Sequence, residues 1–448
     1  MKRVLLLGAL FAVASVAFAQ DQGRVISSVG HVLPERQRPA AVNAMLKDRL
    51  DNLLPQLMRE TGTDLWVVIN REYAEDPVYL TLVPEEPTFS ARRTSMLLFF
   101  DRGPEKGIER LTVNRYPMPG YYEAAWEGGD LDAQWKRLGE VIRERNPKKI
   151  AIDVSRNWAF ADGLSHGLHE RLMEVLTPEM KSRVVSAENL VVRWLETRSE
   201  KELQAYPSIV ALARAVIEEA FSQKVITPGI TTTDDVAWYI RQRYADLGLP
   251  IWFMPDVNLQ RPGVPCEAAA SFCGIEGVIQ RGDVLHTDVG ITYLRLNTDT
   301  QEMGYVLRLG ESDVPEGLKR ALATSNRWQD LLTGNFVTGR TGNEILAATR
   351  AASQKEKIDS STYSHPLGFF GHAAGPTIGM WDNQNGTPIT GDWKLHANTA
   401  YAIEGNVKVA VPEWNGQFVQ IKLEQSAVFD GKRVIYLAGR QTQWHVVH

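Results

Sequence analysis

Two aspartates set into a strand-forming segment constrain this chain more than any other feature. The segment VLHTDVGITYLRLNTDTQ, residues 284–301, is rich in Val, Ile, Thr, Tyr and Leu, yet it carries Asp288 and Asp299. Aspartate is depleted in strands. Alternate side chains of a strand face the same way, so His286 shares a face with Asp288, and Asn297 and Gln301 share one with Asp299. If the two pieces are neighbouring strands, the carboxylates converge. Converging carboxylates repel unless one keeps its proton or a cation lies between them. Taken alone, the pair is equally compatible with two aspartates at hairpin ends.

Three later segments favour the cation. SHPLGFFGHAAGP carries His365 and His372, AYAIEGN places Glu404 after an apolar run, and VQIKLEQSAVF sets Glu424 among alternating apolar residues. A buried glutamate is costly unless it is paired or bound to metal. Four carboxylates and one imidazole form an oxygen-rich donor set that suits two divalent ions such as Mn²⁺, Co²⁺ or Zn²⁺.

The rest of the chain supplies a frame for these residues. At 448 residues it is long enough for two domains. Its net charge of −5 argues against nucleic acid as a partner. Residues 1–19 have the layout of a signal peptide: Lys2 and Arg3, an apolar run from Val4 to Phe18, then Ala17-Phe18-Ala19. That run is too short to span a bilayer, which needs roughly 20 apolar residues, and no later stretch is long and apolar enough. The expectation is an exported protein, periplasmic or secreted, with no membrane span in its mature form. Cys266 and Cys273 either pair across a short loop or sit unpaired as small core residues.

From 20 to 195 the pattern alternates helix and strand, which predicts an α/β domain. A helix is expected over 39–61 and another over 130–145, with strands at 64–69, 95–100 and 148–154. Ser199 and Glu202 form a capping box, so a new helix opens a second domain over 199–448. A further helix starts near Thr231 and stops at Gly248; two more are predicted near 316–333 and 342–356 between strands.

Asp288, Asp299, His365, Glu404 and Glu424, in that order, resemble the metal ligands of the pita-bread metallopeptidases, the family of Xaa-Pro aminopeptidases, prolidases, methionine aminopeptidases and creatinases. The resemblance covers roughly residues 199–448 and extends more loosely to the N-terminal domain. It implies an α+β fold: a pita-bread catalytic domain preceded by a smaller α/β creatinase-like domain. It also implies two divalent ions, with Asp299 and Glu424 shared between them, Asp288 on one, and His365 with Glu404 on the other. The ions would share a water and lower its pKa for attack on a peptide carbonyl. Glu404 would carry the proton, and His372 would stabilise the oxyanion. The substrate would be a peptide, of the Xaa-Pro type favoured by the aminopeptidase and dipeptidase branches. A homodimer is an arrangement the family often uses.

The substrate side departs from the family pattern. Ser271 and Ser361 stand where histidines are usual, and Lys422 stands where an arginine is common. Lys422 shares a strand face with Glu424, so a substrate carboxylate would meet a point charge rather than a fork. His286, on the face of Asp288, is a candidate replacement for a lost catalytic histidine. These departures leave open a hydrolase of non-proline peptides or amides, and a metal-free creatinase-type hydrolase. Trp381 is a candidate for the cleft wall. GLSHG, residues 163–167, matches a serine-hydrolase elbow, but the preceding strand ends too early and Ser165 is better placed to begin a helix.

Overall fold

The computed structural model of the protein describes residues 32–86, 90–266 and 272–448. The leader and Ser271 lie outside the described residues. The helix expected over 39–61 is a composite: α-helices Arg38–Asp48 and Leu54–Glu60 joined through a π-helical turn, Arg49–Leu53. Single π turns in α-helices often mark functional positions. Here the turn carries Arg49, which is almost fully buried.

Six strands follow as one sheet: β1 Leu65–Arg71, β2 Thr94–Asp101, β3 Ile108–Thr112, β4 Glu123–Ala124, β5 Ile150–Ile152 and β6 Val184–Ser186. Their order is β4-β3-β2-β1-β5-β6. Alternation along β1 divides its side chains between two cores. Val67 and Ile69 pack with Trp135, Leu138 and Ile142 of the helix Leu131–Arg145. Trp66 and Val68 pack with Leu54, Leu57 and Leu190 on the other face. Strands β3 and β4 have no clear hydrophobic alternation and were outside the sequence expectation. Ser165 is the N-cap of the helix His166–Val175, so GLSHG forms a helix start.

The helix Glu200–Ala220 opens on the predicted capping box, with both reciprocal bonds made by Ser199 and Glu202. Glu202 is also the partner of Arg49, at 2.8 Å, and the same guanidinium donates to the carbonyl of Thr197 at 2.7 Å. It stacks over Trp194, 4.1 Å from the ring centroid. The helical N-terminal segment is thereby locked to the start of the following domain. Removing one partner of a buried pair costs up to about 3–5 kcal/mol, and here Glu202 keeps Arg198 at 3.5 Å, so the lower end of that range applies. Arg49→Ala is expected to lower the urea midpoint accordingly, while Glu60→Gln, at a more exposed pair with Arg193, costs well under half of that.

The second sheet holds β7 Asp256–Gln260, β8 Val284–Val289, β11 Thr300–Val306, β12 Asp359–Thr362, β13 His365–Leu367, β14 Thr399–Val411 and β15 Gln417–Phe429, with the hairpin β9 Thr292–Tyr293 and β10 Leu296–Asn297 beside it and β16 Val434–Tyr436 and β17 His445–Val447 closing the chain. The main order is β12-β14-β15-β11-β8-β7, with β13 on β14, β16 on β15 and β17 on β11. Helices Glu200–Ala220 and Thr233–Asp246 pack into one core with Leu285 and Val289 of β8. Helices Glu316–Thr333 and Gly342–Lys355 pack into another with Tyr401, Ile403 and Val407 of β14. Two helix pairs on a long antiparallel sheet make the pita-bread fold, and the whole chain is α+β.

Candidate metal centre

Strand register brings the five expected ligands together. Glu404 lies directly opposite Glu424 across β14 and β15. Gln301 of β11 lies opposite Glu424 on one side and Asp288 of β8 on the other. His365 of β13 pairs with Ala402 of β14, two residues before Glu404 and so on the same face. Asp299 sits immediately before β11. It converges with Asp288 because the chain between them folds back as the β9–β10 hairpin. Leu294 and Arg295 at that hairpin's tip adopt φ of 52° and 66°. These are unusual values for non-glycine residues. Arg295 is held there by Glu85 at 2.6 Å and by the carbonyls of Leu80 and Val83 at 2.7 Å. The N-terminal domain therefore fixes the turn that sets the spacing of the two aspartates.

His365 reveals what the cluster needs. Its Nδ1 lies 3.1 Å from the carbonyl of Pro366, which can only accept, so Nδ1 carries the proton. Nε2 then presents a lone pair to Asp299 Oδ2 at 3.6 Å, Glu404 Oε2 at 3.7 Å and Glu424 Oε1 at 3.6 Å. These distances are too long for hydrogen bonds. Burial lowers the imidazole pKa to about 4, so the ring is neutral. A lone pair facing three carboxylate oxygens is repulsive unless a proton or a cation lies among them, and at these distances no hydrogen bond carries a proton across. The same conclusion follows from the buried atoms without a hydrogen-bond partner, which include Asp288 Oδ1, Asp299 Oδ1, His365 Nε2 and Glu424 Oε1. Three donor groups, Asp299 with His365 and His372, His365 with Glu404 and Glu424, and Asp288 with Asp299 and Glu424, each keep their ligand atoms within 4.8 Å of one another. Asp299, His365 and Glu424 each belong to two of the three. Hard oxygen donors with one neutral imidazole fit divalent cations of the Mn²⁺, Co²⁺ or Zn²⁺ kind.

The electrostatics of these side chains agree. Burial, and then the charge of the neighbouring carboxylates, hold Asp288, Asp299 and Glu404 well above the ordinary carboxyl range. Burial pushes Glu424 up to about 8, against hydrogen bonds from Gln301 and Asp299 that favour its charged form.

His372 stands at the exposed rim of this cluster, its ring centroid 4.7 Å from that of His365 and edge-on to it. Trp252 fixes it from the other side at 5.2 Å. That packing needs two glycines, since a Cβ at Gly290 or Gly371 would lie 2.1 or 2.2 Å from the Trp252 ring. Phe369 and Phe370, in the same loop, are held by Arg49 and Arg198 and by Phe160, whose ring stacks on Phe370 at 4.5 Å. Tyr363 packs against both histidines, its ring centroid 5.2 Å from that of His365 and 5.9 Å from that of His372. Neither Trp252 nor Tyr363 was legible in the sequence, because an isolated aromatic gives no periodic or motif signal. Gln301 was legible only as a residue on the Asp299 face.

Two of the residues expected to face substrate or take part in catalysis, His286 and Lys422, are placed differently. His286 is buried and both of its ring nitrogens are engaged, so it is withdrawn from the reacting space. Lys422 is only 2% exposed; its ammonium donates to Asn258 Oδ1 and the Cys273 carbonyl and sits 3.5 Å over the Phe272 ring. Ser361 accepts from Asn406 at 2.6 Å. Cys266 and Cys273 are joined as a disulfide, with Cα atoms 5.4 Å apart, which settles the pairing that the sequence left open. Trp381 is 62% exposed.

A mainly antiparallel sheet with a carboxylate–histidine cluster at its centre marks a pita-bread scaffold. Residues 208–429 match the model of metallopeptidase family M24, and the chain belongs to that family. A search of curated proteins finds no match. Among solved structures, the chain is similar to an X-Pro aminopeptidase from Thermotoga maritima (18% identity, TM-score 0.61, covering 88% of this chain and 100% of that one). It is also similar to an Xaa-Pro dipeptidase from Bacillus anthracis (15%, 0.57, 91% and 100%). A third likeness is to the N-terminal domain of FACT complex subunit SPT16 from Eremothecium gossypii (11%, 0.57, 90% and 98%). At these identities the likeness establishes the fold, and the fold alone does not specify the chemistry. Among the described residues no helix is long and apolar enough to cross a membrane.

Proposed function

We propose that this protein is an exported, binuclear metal-dependent peptidase that cleaves short peptides near their N-terminus, with Xaa-Pro peptides as the first substrate class to test. The observation that carries the proposal is the unprotonated His365 Nε2 aimed at three carboxylate oxygens at 3.6–3.7 Å. Asp288 and Asp299 would hold one ion, His365 and Glu404 the other, with Asp299 and Glu424 shared. Bound there, divalent ions polarise a peptide carbonyl and lower the pKa of a water. Glu404 is the most accessible carboxylate facing His365, at 17% side-chain exposure, and is the group placed to take a proton from that water and return it to the departing amine. His372 at the rim donates to the carbonyl oxygen as negative charge builds there. His372→Ala is expected to lower kcat about 10²–10³-fold with metal content unchanged, as measured by steady-state kinetics and metal analysis.

The altered substrate shell supports a second reading within the same chemistry. Ser361 is tied to Asn406, and Asn406 to Gln420 at 2.9 Å, so amides and a hydroxyl occupy the wall where prolidase-like members usually carry a histidine. A panel of Xaa-Pro dipeptides, longer Xaa-Pro peptides and non-proline peptides separates the two. Turnover confined to non-proline substrates would remove the Xaa-Pro assignment and leave the metallopeptidase. Export is supported by the leader layout of residues 1–19 and by the Cys266–Cys273 disulfide, which suits an oxidising compartment.

A further inference from the structure

Beside the donor set runs a chain of hydrogen bonds that none of the expected ligand roles uses. Lys422 Nζ donates to Asn258 Oδ1 at 2.9 Å. Asn258 Nδ2 faces His286 Nδ1 at 3.1 Å and donates to Asp256 Oδ2 at 2.6 Å. His286 Nε2 faces Gln301 Oε1 at 2.9 Å. Gln301 Nε2 then donates to Glu404 Oε1 at 2.8 Å and to Glu424 Oε2 at 2.9 Å. Lys422, Asn258, His286 and Gln301 are all buried, at 2%, 4%, 1% and 6% exposure.

The polarity of this chain is fixed at its origin. A lysine ammonium has no acceptor, so the Asn258 atom facing it is the oxygen and the amide nitrogen faces His286. His286 Nδ1 must then accept, which leaves the proton on Nε2. Nε2–H requires an acceptor, so Gln301 turns its oxygen to the imidazole and its nitrogen to the two glutamates. One oxygen of each glutamate is taken in this way. The other oxygen of each, Glu404 Oε2 and Glu424 Oε1, is the one that faces His365 Nε2.

We infer that Gln301, oriented by His286, Asn258 and Lys422, is a positioning residue that selects which oxygens of Glu404 and Glu424 face the metal centre and holds them there before the metal arrives. The inference rests on the reading of the site as a metal centre. It gives His286 and Lys422 a role that their burial allows, in place of substrate contact. Partners of metal-ligating carboxylates of this kind commonly contribute about 10–100-fold to metal affinity.

The test is calorimetric titration of Mn²⁺ into the chelator-stripped mature protein and three variants, each checked for folding by circular dichroism. Gln301→Met, similar in length but without a donor, is expected to weaken Mn²⁺ binding about 10–100-fold. His286→Leu is expected to weaken it toward the lower end of that range, because Gln301 is then free to turn. His286→Gln supplies a new N–H donor to Gln301 and is expected to restore most of the affinity. A packing role alone would favour leucine over glutamine at this buried position, so the order of the two variants separates positioning from packing. Native affinity in folded Gln301→Met, or equal affinities for the two His286 variants, would overturn the inference. Should Gln301→Met not fold, the His286 pair decides the matter. Failure of the unsubstituted protein to take up Mn²⁺ would overturn the metal centre, and this inference with it, before any variant is compared.

Discussion

Asp299→Ala is expected to abolish peptide hydrolysis, with a loss of roughly 10³-fold or more, and chelation of the native protein to do the same reversibly. Asp299 faces His365 at 3.6 Å and shares a donor group with Asp288 and Glu424. Removing it takes away a ligand to both ions, so the expected loss exceeds that of a residue such as His372 that only stabilises developing charge. Asp299 also sits where a substitution has little structural reason to unfold the chain. Its Oδ1 has no hydrogen-bond partner, and its neighbours Asp288 and Glu424 repel it when ionised. The metal-free Asp299→Ala protein is therefore expected to be at least as stable as the metal-free native protein. Removing a buried carboxylate from a like-charged cluster relieves repulsion. Kinetics with and without added Mn²⁺, together with thermal unfolding of both proteins after chelation, check both halves. Activity retained by the variant would point to the metal-free hydrolase reading.

Metal binding is expected to release protons near neutral pH and to tighten as pH rises. In the metal-free cavity Asp288, Asp299 and Glu404 hold their protons well above the ordinary range, and Glu424 holds its proton to about 8, chiefly because they are buried. A cation must displace those protons. His365 contributes none above about 4, since burial keeps it neutral. The sign for stability follows from the same shifts. Carboxyls with raised folded pKa values stabilise the metal-free fold fully below their unfolded values of about 4. That contribution is lost as pH rises through about 8, where Glu424 ionises. The buried histidines act oppositely: His365 and His372, lowered to about 4, add stability as pH climbs to their unfolded value of about 6.5 and nothing beyond it. Lys422, lowered to about 7, opposes the carboxyls only above that value. The carboxyl effect thus shows most clearly between about 6.5, where the histidine contribution ends, and about 7, where Lys422 begins to oppose it. Each proton held by the metal-free form is worth about 1.4 kcal/mol per pH unit. The gain in unfolding temperature on adding Mn²⁺ is expected to widen across that window. Calorimetry in two buffers of different ionisation enthalpy reads the released protons directly; none released at pH 7 would contradict the account.

The candidate ligand set was legible in the sequence because each member sits in a strand-like or motif-like setting that makes its polarity conspicuous. Asp288 and Glu424 interrupt apolar alternation, and the Ser199 capping box marks the start of the second domain's first helix, as the structure shows. The convergence of Asp288 and Asp299 was readable only as a condition, because it depends on the β9–β10 turn. Arg295 in that turn is anchored by Glu85, 210 positions away. The His286 and Gln301 partnership lay beyond sequence reading for a related reason. The two face each other diagonally across β8 and β11, and only the register, Met303 opposite His286 and Gln301 opposite Asp288, puts them within reach. Burial likewise reversed the expectation for Lys422, since the residues that cap it, Asn258, Phe272 and Cys273, come from strand β7 and the segment before β8. In the N-terminal domain the weakly patterned β3 pairs with the strongly apolar β2, and β4 is added at the edge on β3, so tertiary context decides what their own propensity does not.

The most direct test of the central claim is the metal content of the chain beginning at Gln20, reconstituted with Mn²⁺, freed of excess ion by gel filtration and measured by elemental mass spectrometry beside Asp299→Ala. The account predicts about two ions per native chain and a clear deficit in the variant, because the donor groups overlap and Asp299 belongs to two of the three. A native chain that retains no divalent ion would contradict it, and would mean that the five residues form a protonated carboxyl cluster rather than a metal centre.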